Sequence, residues 1–281
     1  MKRALIFIVV STLFLIVACD YIKPSFDGIY YTTDTLSTGN NNTNDTITNS
    51  FDTTKKVLLI EFTGIRCTNC PDAHDIIHSL GMQYSGKFIS ISFHGTSLAR
   101  PVGEFSNDPD LRTEEGNQII SDFEINEIPQ GMVDYFEKSK LSYKDEWTSQ
   151  VAQYVNNASL LGFSITNDTV NHILSITVKA LSSIPEQTRL CAYILEDSII
   201  TRQATNVNPG YIDGYVQMNV FRKAITDVYG NIIGSFEADQ EKQLSLSYSI
   251  AADWKQKNLK FVIFVYRPDN GKILNSTSIH F

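Results

Sequence analysis

Cys67 and Cys70 are the residues of this sequence with the clearest potential for chemistry, because only two residues separate them and Pro71 follows at once. The apolar run before them predicts a buried strand over 57–63, and residues 71–80 have the pattern of a helix. At a strand-to-helix junction, unpaired backbone N–H groups and the helix dipole stabilise a thiolate. The spacing therefore predicts thiol–disulfide exchange, with no cofactor beyond a redox-active Cys67–Cys70 disulfide.

Glu61 and Pro129 are the residues predicted to assist this chemistry. Glu61 lies in the apolar strand before Cys67, where a carboxylate is costly to bury. If it points beneath Cys70, it can accept and return the proton of that thiol. Its alternative place is the exposed side of an edge strand. Pro129 precedes a short apolar segment at 132–136, which fits either a cis proline facing the dithiol or an ordinary trans proline at a strand entry.

The N-terminus predicts export and a lipid anchor. Lys2 and Arg3 precede an apolar run over 4–18 that is too short to span a bilayer, so residues 1–18 are predicted to be a signal peptide. Residues 16–19 resemble a bacterial lipobox, which predicts that Cys19 is lipidated; an ordinary signal peptide is the alternative. The expected location is the cell envelope, most simply the outer membrane, with the protein facing the periplasm or the outside.

Export permits a stable disulfide, and this bears on the remaining cysteines. With Cys19 lipidated, Cys67 and Cys70 form the natural pair and Cys191 is left over. Its apolar surroundings over 189–194 predict a strand in which it is an inert, buried thiol. The formal net charge is −8 and no basic cluster is present, which argues against nucleic acid as a partner. The expected partners are envelope proteins that carry thiols or disulfides.

The chain divides by pattern into a tether and two folded regions. Residues 19–55 are rich in Asn, Thr, Asp and Ser and predict a disordered tether. Residues 56–157 alternate strand and helix patterns, with further helices predicted over 111–123 and 144–156, and this favours an α/β domain. Residues 158–281 favour an all-β, Ig-like sandwich. Its predicted strands cover 160–166, 173–180, 190–196, 215–225, 243–250, 260–266 and 273–281.

Three groups of residues carry a resemblance to a known family. They are 59–74 with the two cysteines, 93–95, and 218–222 together with Tyr229 and Gly230. These segments resemble the outer-membrane-protein-28-related lipoprotein family of Gram-negative bacteria. The resemblance implies a thioredoxin-like domain followed by a β-rich C-terminal region.

Residues 57–157 by themselves resemble the thioredoxin fold. That resemblance implies that Cys67 is the exposed attacking thiol and Cys70 the resolving one, with Glu61 as the buried acid and Pro129 as the cis proline. One departure is Arg66, which stands where redox-active thioredoxins usually have tryptophan. An arginine beside Cys67 favours the thiolate and makes the disulfide more oxidising.

Other functions also fit the sequence. Cys67 and Cys70, with His74 and His94, could form a copper or other metal site in a carrier protein. The disulfide could instead be structural, as in many exported proteins. The protein would then be a non-enzymatic lipoprotein whose C-terminal domain acts in adhesion, glycan binding or assembly.

Overall fold

The computed structural model describes residues 50–281, so the predicted signal peptide, Cys19 and most of the predicted tether lie outside the described residues. The helices of this part are α1 (Cys70–Gln83), α2 (Glu114–Asp122) and α3 (Lys144–Tyr154). None of them is long and apolar enough to cross a membrane. The strands are β1 (Val57–Thr63), β2 (Phe88–His94), β3 (Gln130–Val133), β4 (Ser142–Tyr143), β5 (Leu161–Asp168), β6 (Ile173–Ala180), β7 (Ile184–Glu196), β8 (Ile199–Ala204), β9 (Tyr211–Gln217), β10 (Val220–Ala224), β11 (Asn231–Phe236), β12 (Glu241–Ser247), β13 (Leu259–Tyr266) and β14 (Ile273–His280).

Strand β1 is apolar along its whole length because both of its faces are covered. Successive side chains of a strand point to opposite faces. Leu58 and Ile60 enter a core shared with β2, β7 and β13, whereas Leu59 enters a second core with α1 and α3. Trp147 of α3 fills the second core and is fully buried. A strand buried on both faces shows a continuous apolar run, as seen here.

One mixed sheet connects the two predicted domains. Its strand order is β14-β13-β7-β10-β2-β1-β3-β4, and β11 also pairs with β7. β1 runs parallel to β2 and antiparallel to β3. The connection between the N-terminal and C-terminal strands is a parallel bridge between Val220 of β10 and Ser92 of β2, where the Ser92 N–H donates to Asn219 O at 2.9 Å. The sheet therefore continues across the predicted boundary at residue 157.

The C-terminal region contains a β-sandwich, as the sequence predicted. Strands β12, β6 and β5 form a three-stranded antiparallel sheet. Its apolar residues, among them Phe163 and Ile176, pack in one core with Ile194 of β7 and Ile263 of β13. The opposite face of β7 packs in the core that it shares with β1 and β2. β7 is therefore covered on both faces, which explains its apolar run.

Several elements differ from the prediction. The single strand predicted over 215–225 is two strands, β9 and β10, because Asn219 between them has a left-handed φ of 57°. Strands β8 and β11 were not predicted. Helix α2 begins at Glu114 instead of 111, because the Thr113 Oγ1 caps it by accepting the Gly116 N–H at 3.0 Å.

The predicted tether, residues 19–55, includes residues that belong to the folded part of the chain. Asp52 and Phe163 exchange two backbone hydrogen bonds of 2.8 and 3.0 Å, which hold residues 50–55 against β5. Lys55 is buried, and its Nζ lies 2.8 Å from Asp134 Oδ1. The composition of these residues is polar, but the groups that bind them lie far away along the chain. Composition therefore could not indicate that they are folded.

Candidate functional site

The two cysteines lie in the loop that joins β1 to α1. Cys67 and Cys70 form a disulfide, so the predicted pairing is confirmed. Helix α1 begins at Cys70, and Pro71 occupies its first turn, where a missing N–H costs nothing. The resolving sulfur is thus attached to the first residue of a helix, where the dipole favours a negative charge. This position suits a cysteine that leaves as a thiolate when the disulfide is attacked.

The disulfide is buried, and the prediction that Cys67 is exposed is wrong. Cys67 is 2% exposed and Cys70 is 0% exposed. The physical reason is that distant segments pack on the cysteine loop. Ile128 O lies 3.6 Å from Cys67 Sγ, and the β8–β9 hairpin (residues 199–217), which the sequence did not predict, contacts the backbone of the loop. The Gln203 side-chain amide of this hairpin donates to Cys67 O at 2.9 Å and to Gly64 O at 3.2 Å. The cysteine loop is therefore covered by a segment that follows it by more than a hundred residues.

Glu61 is fully buried, so its alternative place on an exposed edge is excluded. β1 lies between β2 and β3, and the Ser92 hydroxyl of β2 donates to Glu61 Oε2 at 2.9 Å. The other carboxylate oxygen, Oε1, lies 3.3 Å from His74 Nε2. Glu61 is thus held at a fixed place in the sheet beside α1, the helix that carries Cys70.

His74 connects Glu61 to the hairpin. It lies one helical turn after Cys70, so both residues share one face of α1. Its Nε2 is 2.9 Å from Thr63 Oγ1, and its Nδ1 is 2.7 Å from the Tyr215 hydroxyl. With the ring proton on Nε2, His74 donates towards Glu61 or Thr63 and accepts from Tyr215. Tyr215 and Ser92 were not among the predicted site residues, and no local pattern in the sequence marks them.

Pro129 lies on the other side of the disulfide. The Ile128–Pro129 peptide bond is cis, and the proline immediately precedes β3. Cys67 Sγ lies 3.6 Å from Ile128 O. Of the four predicted catalytic residues, the structure therefore brings Cys67, Cys70 and the Pro129 segment into contact, and Glu61 contacts α1 through His74.

Arg66 is held by a neighbouring loop. Its backbone N–H donates to Leu98 O at 2.9 Å, and its guanidinium donates to Ser97 O at 3.1 Å. Glycine is needed at position 64, where the cysteine loop comes close to the loop after β2. A Cβ there would lie 2.9 Å from the backbone of Leu98 and Ala99. The cysteine loop is thus fixed by the loop after β2 on one side and by the β8–β9 hairpin on the other.

The alternative metal site, predicted from Cys67, Cys70, His74 and His94, does not form in the structure. Cys67 and Cys70 are bonded to each other, and His74 is engaged by Thr63 and Tyr215. Within residues 50–281, no group of three or more His, Cys, Asp or Glu side chains could hold a metal ion. His94, the fourth residue of the set, is buried at the end of β2.

His94 should make the protein sensitive to acid. Burial, together with the nearby His74, lowers the pKa of His94 to about 3. An unfolded histidine binds a proton near pH 6.5, so the unfolded chain holds more protons between pH 6.5 and 3. Stability then falls as the pH falls through this window. We expect His94 to account for a loss of about 2 kcal/mol between pH 7 and 5, at about 1.4 kcal/mol per pKa unit.

Urea unfolding at pH 7 and at pH 5 measures this loss of stability. The His94→Phe variant, which keeps a ring but cannot bind a proton, should lose about 2 kcal/mol less than the parent protein over the same range. Met82→Leu, at a 55% exposed position of α1 that carries no ionisable group, is the control and should leave the pH dependence unchanged. Equal pH dependence in the parent and in His94→Phe would contradict the assignment.

Cys191 is a free, buried cysteine, as predicted. It lies in β7 with no exposed surface, and burial raises the pKa of its thiol. A buried thiol that resists ionisation is a poor nucleophile. Among the cysteines of residues 50–281, Cys67 and Cys70 are therefore the candidates for thiol chemistry.

Comparison with known families matches residues 116–280 to outer membrane protein Omp28. The match covers more than half of the chain. The chain belongs to the Omp28 family. The resemblance found in the sequence is thereby confirmed, and the family description assigns the chain to the outer membrane of the cell envelope. The matched residues include the β8–β9 hairpin and Pro129, whereas Glu61, Cys67, Cys70 and His74 precede them.

Two of the solved structures that match this Omp28 family member, described first below, share its overall fold. HBP35 of Porphyromonas gingivalis has 18% identity and a TM-score of 0.60, covering 83% of this chain and 77% of that one. Protein AGR_C_4864 from Agrobacterium tumefaciens has 11% identity and a TM-score of 0.53, with 81% and 95% covered. A domain of the outer membrane lipoprotein Omp28 from P. gingivalis matches at 14% identity and a TM-score of 0.29, with 44% and 88% covered. No curated protein matches the chain.

Proposed function

We propose that this protein is a lipid-anchored envelope protein that performs thiol–disulfide exchange on other exported proteins through Cys67 and Cys70. The observation that carries the proposal is the disulfide at the N-terminus of α1 together with a buried acidic residue, Glu61, which lies 3.3 Å from His74 one turn along the same helix. A disulfide needed only as a staple does not require an acidic residue buried beside its helix, where burial of a carboxyl group is costly. Attachment through Cys19 follows from the lipobox-like residues 16–19.

A thioredoxin-like arrangement of residues 57–157 is part of the proposal. In its support, β1 runs parallel to β2 and antiparallel to β3, and α1 and α3 pack on one face of β1. The cysteines lie between β1 and α1, and Pro129 immediately precedes β3.

The exchange balances without a cofactor. A thiolate of the substrate attacks Cys67 Sγ, the Cys67–Cys70 bond breaks, and Cys70 leaves as a thiolate. This thiolate takes the proton of the Glu61 carboxylic acid, and water then restores a proton to Glu61. A second substrate thiolate then attacks the substrate sulfur of the mixed disulfide and releases Cys67. The substrate dithiol has become a disulfide, and the protein disulfide has become two thiols. The opposite direction uses the same steps in reverse.

The reduction potential tests this proposal. The purified protein is equilibrated against mixtures of reduced and oxidised glutathione. We expect a value between about −270 and −120 mV, the range of exchange catalysts. A value below about −300 mV would make the disulfide structural and would contradict the proposal.

Capture of partners provides a second readout. In a Cys70→Ser variant the resolving sulfur is absent, so mixed disulfides through Cys67 should accumulate in cells. The Cys67→Ser, Cys70→Ser double variant is the matched control and should capture nothing. Equal bands from both variants on a non-reducing gel would argue against exchange.

A structural disulfide is the second candidate, and one observation favours it. Cys67 and Cys70 are 2% and 0% exposed, whereas attack on a disulfide requires access to a sulfur. In that case the outer-membrane role would belong to the C-terminal β-sandwich, through adhesion, glycan binding or assembly. The reduction potential separates the two candidates.

A further inference from the structure

The β8–β9 hairpin is structurally distinct from the two larger sheets. Its strands pair with each other in a two-stranded sheet of their own. It is nevertheless the segment that covers the Cys67–Cys70 loop. A cover that is not part of a larger sheet can move without breaking that sheet's hydrogen bonds.

The contacts between the hairpin and the cysteine loop are few. The Ala204 N–H donates to Ile65 O at 2.7 Å, and Gln203 donates to two carbonyl groups of the loop. At the turn of the hairpin, the Asn206 amide donates to Asn69 Oδ1 at 3.0 Å. Asn69 is the residue between the cysteines that caps α1. Most of these contacts therefore join the hairpin to residues within or beside the Cys67–Cys70 segment.

Two further contacts secure the hairpin at its sides. Arg202 donates from its backbone N–H to Asp108 Oδ1 at 2.8 Å, and its side chain lies 3.2 Å from Asp108 Oδ2. On the other side, the Tyr215 hydroxyl lies 2.7 Å from His74 Nδ1. Below the hairpin, Ile65 packs with Ala204 in a small apolar cluster. Arg202 and Asp108 thus form a salt bridge in addition to a backbone hydrogen bond, and the other polar contacts are single hydrogen bonds of the kind that contributes modestly in water.

We propose that the β8–β9 hairpin is a gate that must open before a thiolate can reach Cys67 Sγ. This inference rests on the proposed exchange function and adds a mode of regulation to the same site. Closed, the hairpin shields the disulfide from small reductants. Open, it exposes the cysteine loop together with Ile65 O, and this carbonyl then becomes available to an incoming polypeptide.

The rate at which dithiothreitol reduces the full-length protein tests the gate. Gln203→Ala removes two hydrogen bonds to the loop, and Tyr215→Phe removes the hydroxyl that contacts His74. We expect reduction to become about 25-fold faster in Gln203→Ala and about fivefold faster in Tyr215→Phe, from about a factor of five per hydrogen bond. Ile200→Ala is the matched control, because its side chain lies on the same hairpin and is 52% exposed. Its rate should stay within about twofold of the parent.

General destabilisation must be separated from gate opening. Urea unfolding of each variant measures its global stability. If Gln203→Ala does not fold, the reduction rate of Tyr215→Phe alone tests the gate. Hydrogen exchange adds a measurement on the unaltered protein: the Ala204 amide should exchange faster than the Ile194 amide of β7. Rates within twofold of the parent for both variants, or equal protection of the two amides, would overturn the gate.

Different experiments would reject the gate and the exchange function. A reduction potential below about −300 mV rejects exchange, whatever the variants do to the rate. A potential in the catalytic range with unchanged reduction rates rejects only the gate.

Discussion

Replacing Asp134 with asparagine is expected to lower the free energy of unfolding by about 3–5 kcal/mol, because it leaves a buried lysine without its counter-charge. The side chains of Lys55 and Asp134 are 6% and 0% exposed, and their charged atoms lie 2.8 Å apart. Burial lowers the pKa of Lys55, and the charge of Asp134 opposes that shift. Lys272 approaches the second carboxylate oxygen at 3.2 Å, but it is partly exposed and can turn towards water.

Asparagine is the appropriate substitution because the backbone there is unusual. Asp134 has a φ of 58°, a left-handed conformation that asparagine tolerates better than alanine does. The loss in the free energy of unfolding can then be assigned to removal of the negative charge of Asp134. Asp110→Asn, which breaks an exposed pair with Arg112, is the control and should cost no more than about 1 kcal/mol. Urea unfolding at pH 7 measures both, and a loss below about 1 kcal/mol in Asp134→Asn would contradict the prediction.

The large expected effect on stability also reflects the position of Asp134, where several segments of the chain meet. Its backbone N–H donates to Leu58 O of β1 at 2.7 Å, and its carbonyl accepts from the Ile273 N–H of β14 at 3.0 Å. Its side chain holds Lys55. The start of the described chain, the strand that carries Glu61 and the last strand are therefore joined through one residue.

The core of the candidate site could be predicted from the sequence because its signals are local. The apolar run of β1, the spacing of Cys67 and Cys70, and Pro71 at the start of α1 lie within fifteen residues. The burial of Glu61 also follows from its place in an apolar strand. Alternation of apolar residues predicted most strands of the β-sandwich for the same reason.

What covers the site could not be predicted, since it depends on contacts between distant residues. His74 and Tyr215 are 141 positions apart, and Cys67 and Gln203 are 136 apart. The buried residues of β8 include two polar ones, Thr201 and Gln203, so its pattern does not resemble a buried apolar strand. The predicted exposure of Cys67 was wrong because exposure depends on the whole fold, not on the loop.

The Tyr229–Gly230 motif shows that a family signature can be structural. Gly230 has a φ of 78°, and a Cβ there would lie 2.7 Å from Leu190 O and 2.9 Å from Cys191 Sγ. Tyr229 packs on Phe136 and donates from its hydroxyl to Asp122 at 2.6 Å. The motif therefore closes the core between β7 and α2, and it needs no role in exchange to explain it.

Glu61→Gln is expected to lower the rate of exchange by about 100-fold near pH 7, if Glu61 moves the proton of Cys70. Glutamine keeps the size of the side chain and can still accept from Ser92, so the local packing is retained. It cannot gain or lose a proton. The measurement is the single-turnover oxidation of a reduced cysteine peptide. Glu114→Gln, in the exposed first turn of α2, is the matched control and should react like the parent.

The pH dependence of this loss separates a proton carrier from a residue that only supports the fold. An ordinary thiol ionises near pH 8.5, so above that pH Cys70 no longer depends on a neighbouring group for its proton. The deficit of Glu61→Gln should therefore shrink to a few-fold by about pH 9.5. A deficit that stays constant from pH 7 to 9.5 would mean that Glu61 holds the cysteine loop in place. A rate equal to that of the parent at pH 7 would exclude it from the exchange reaction.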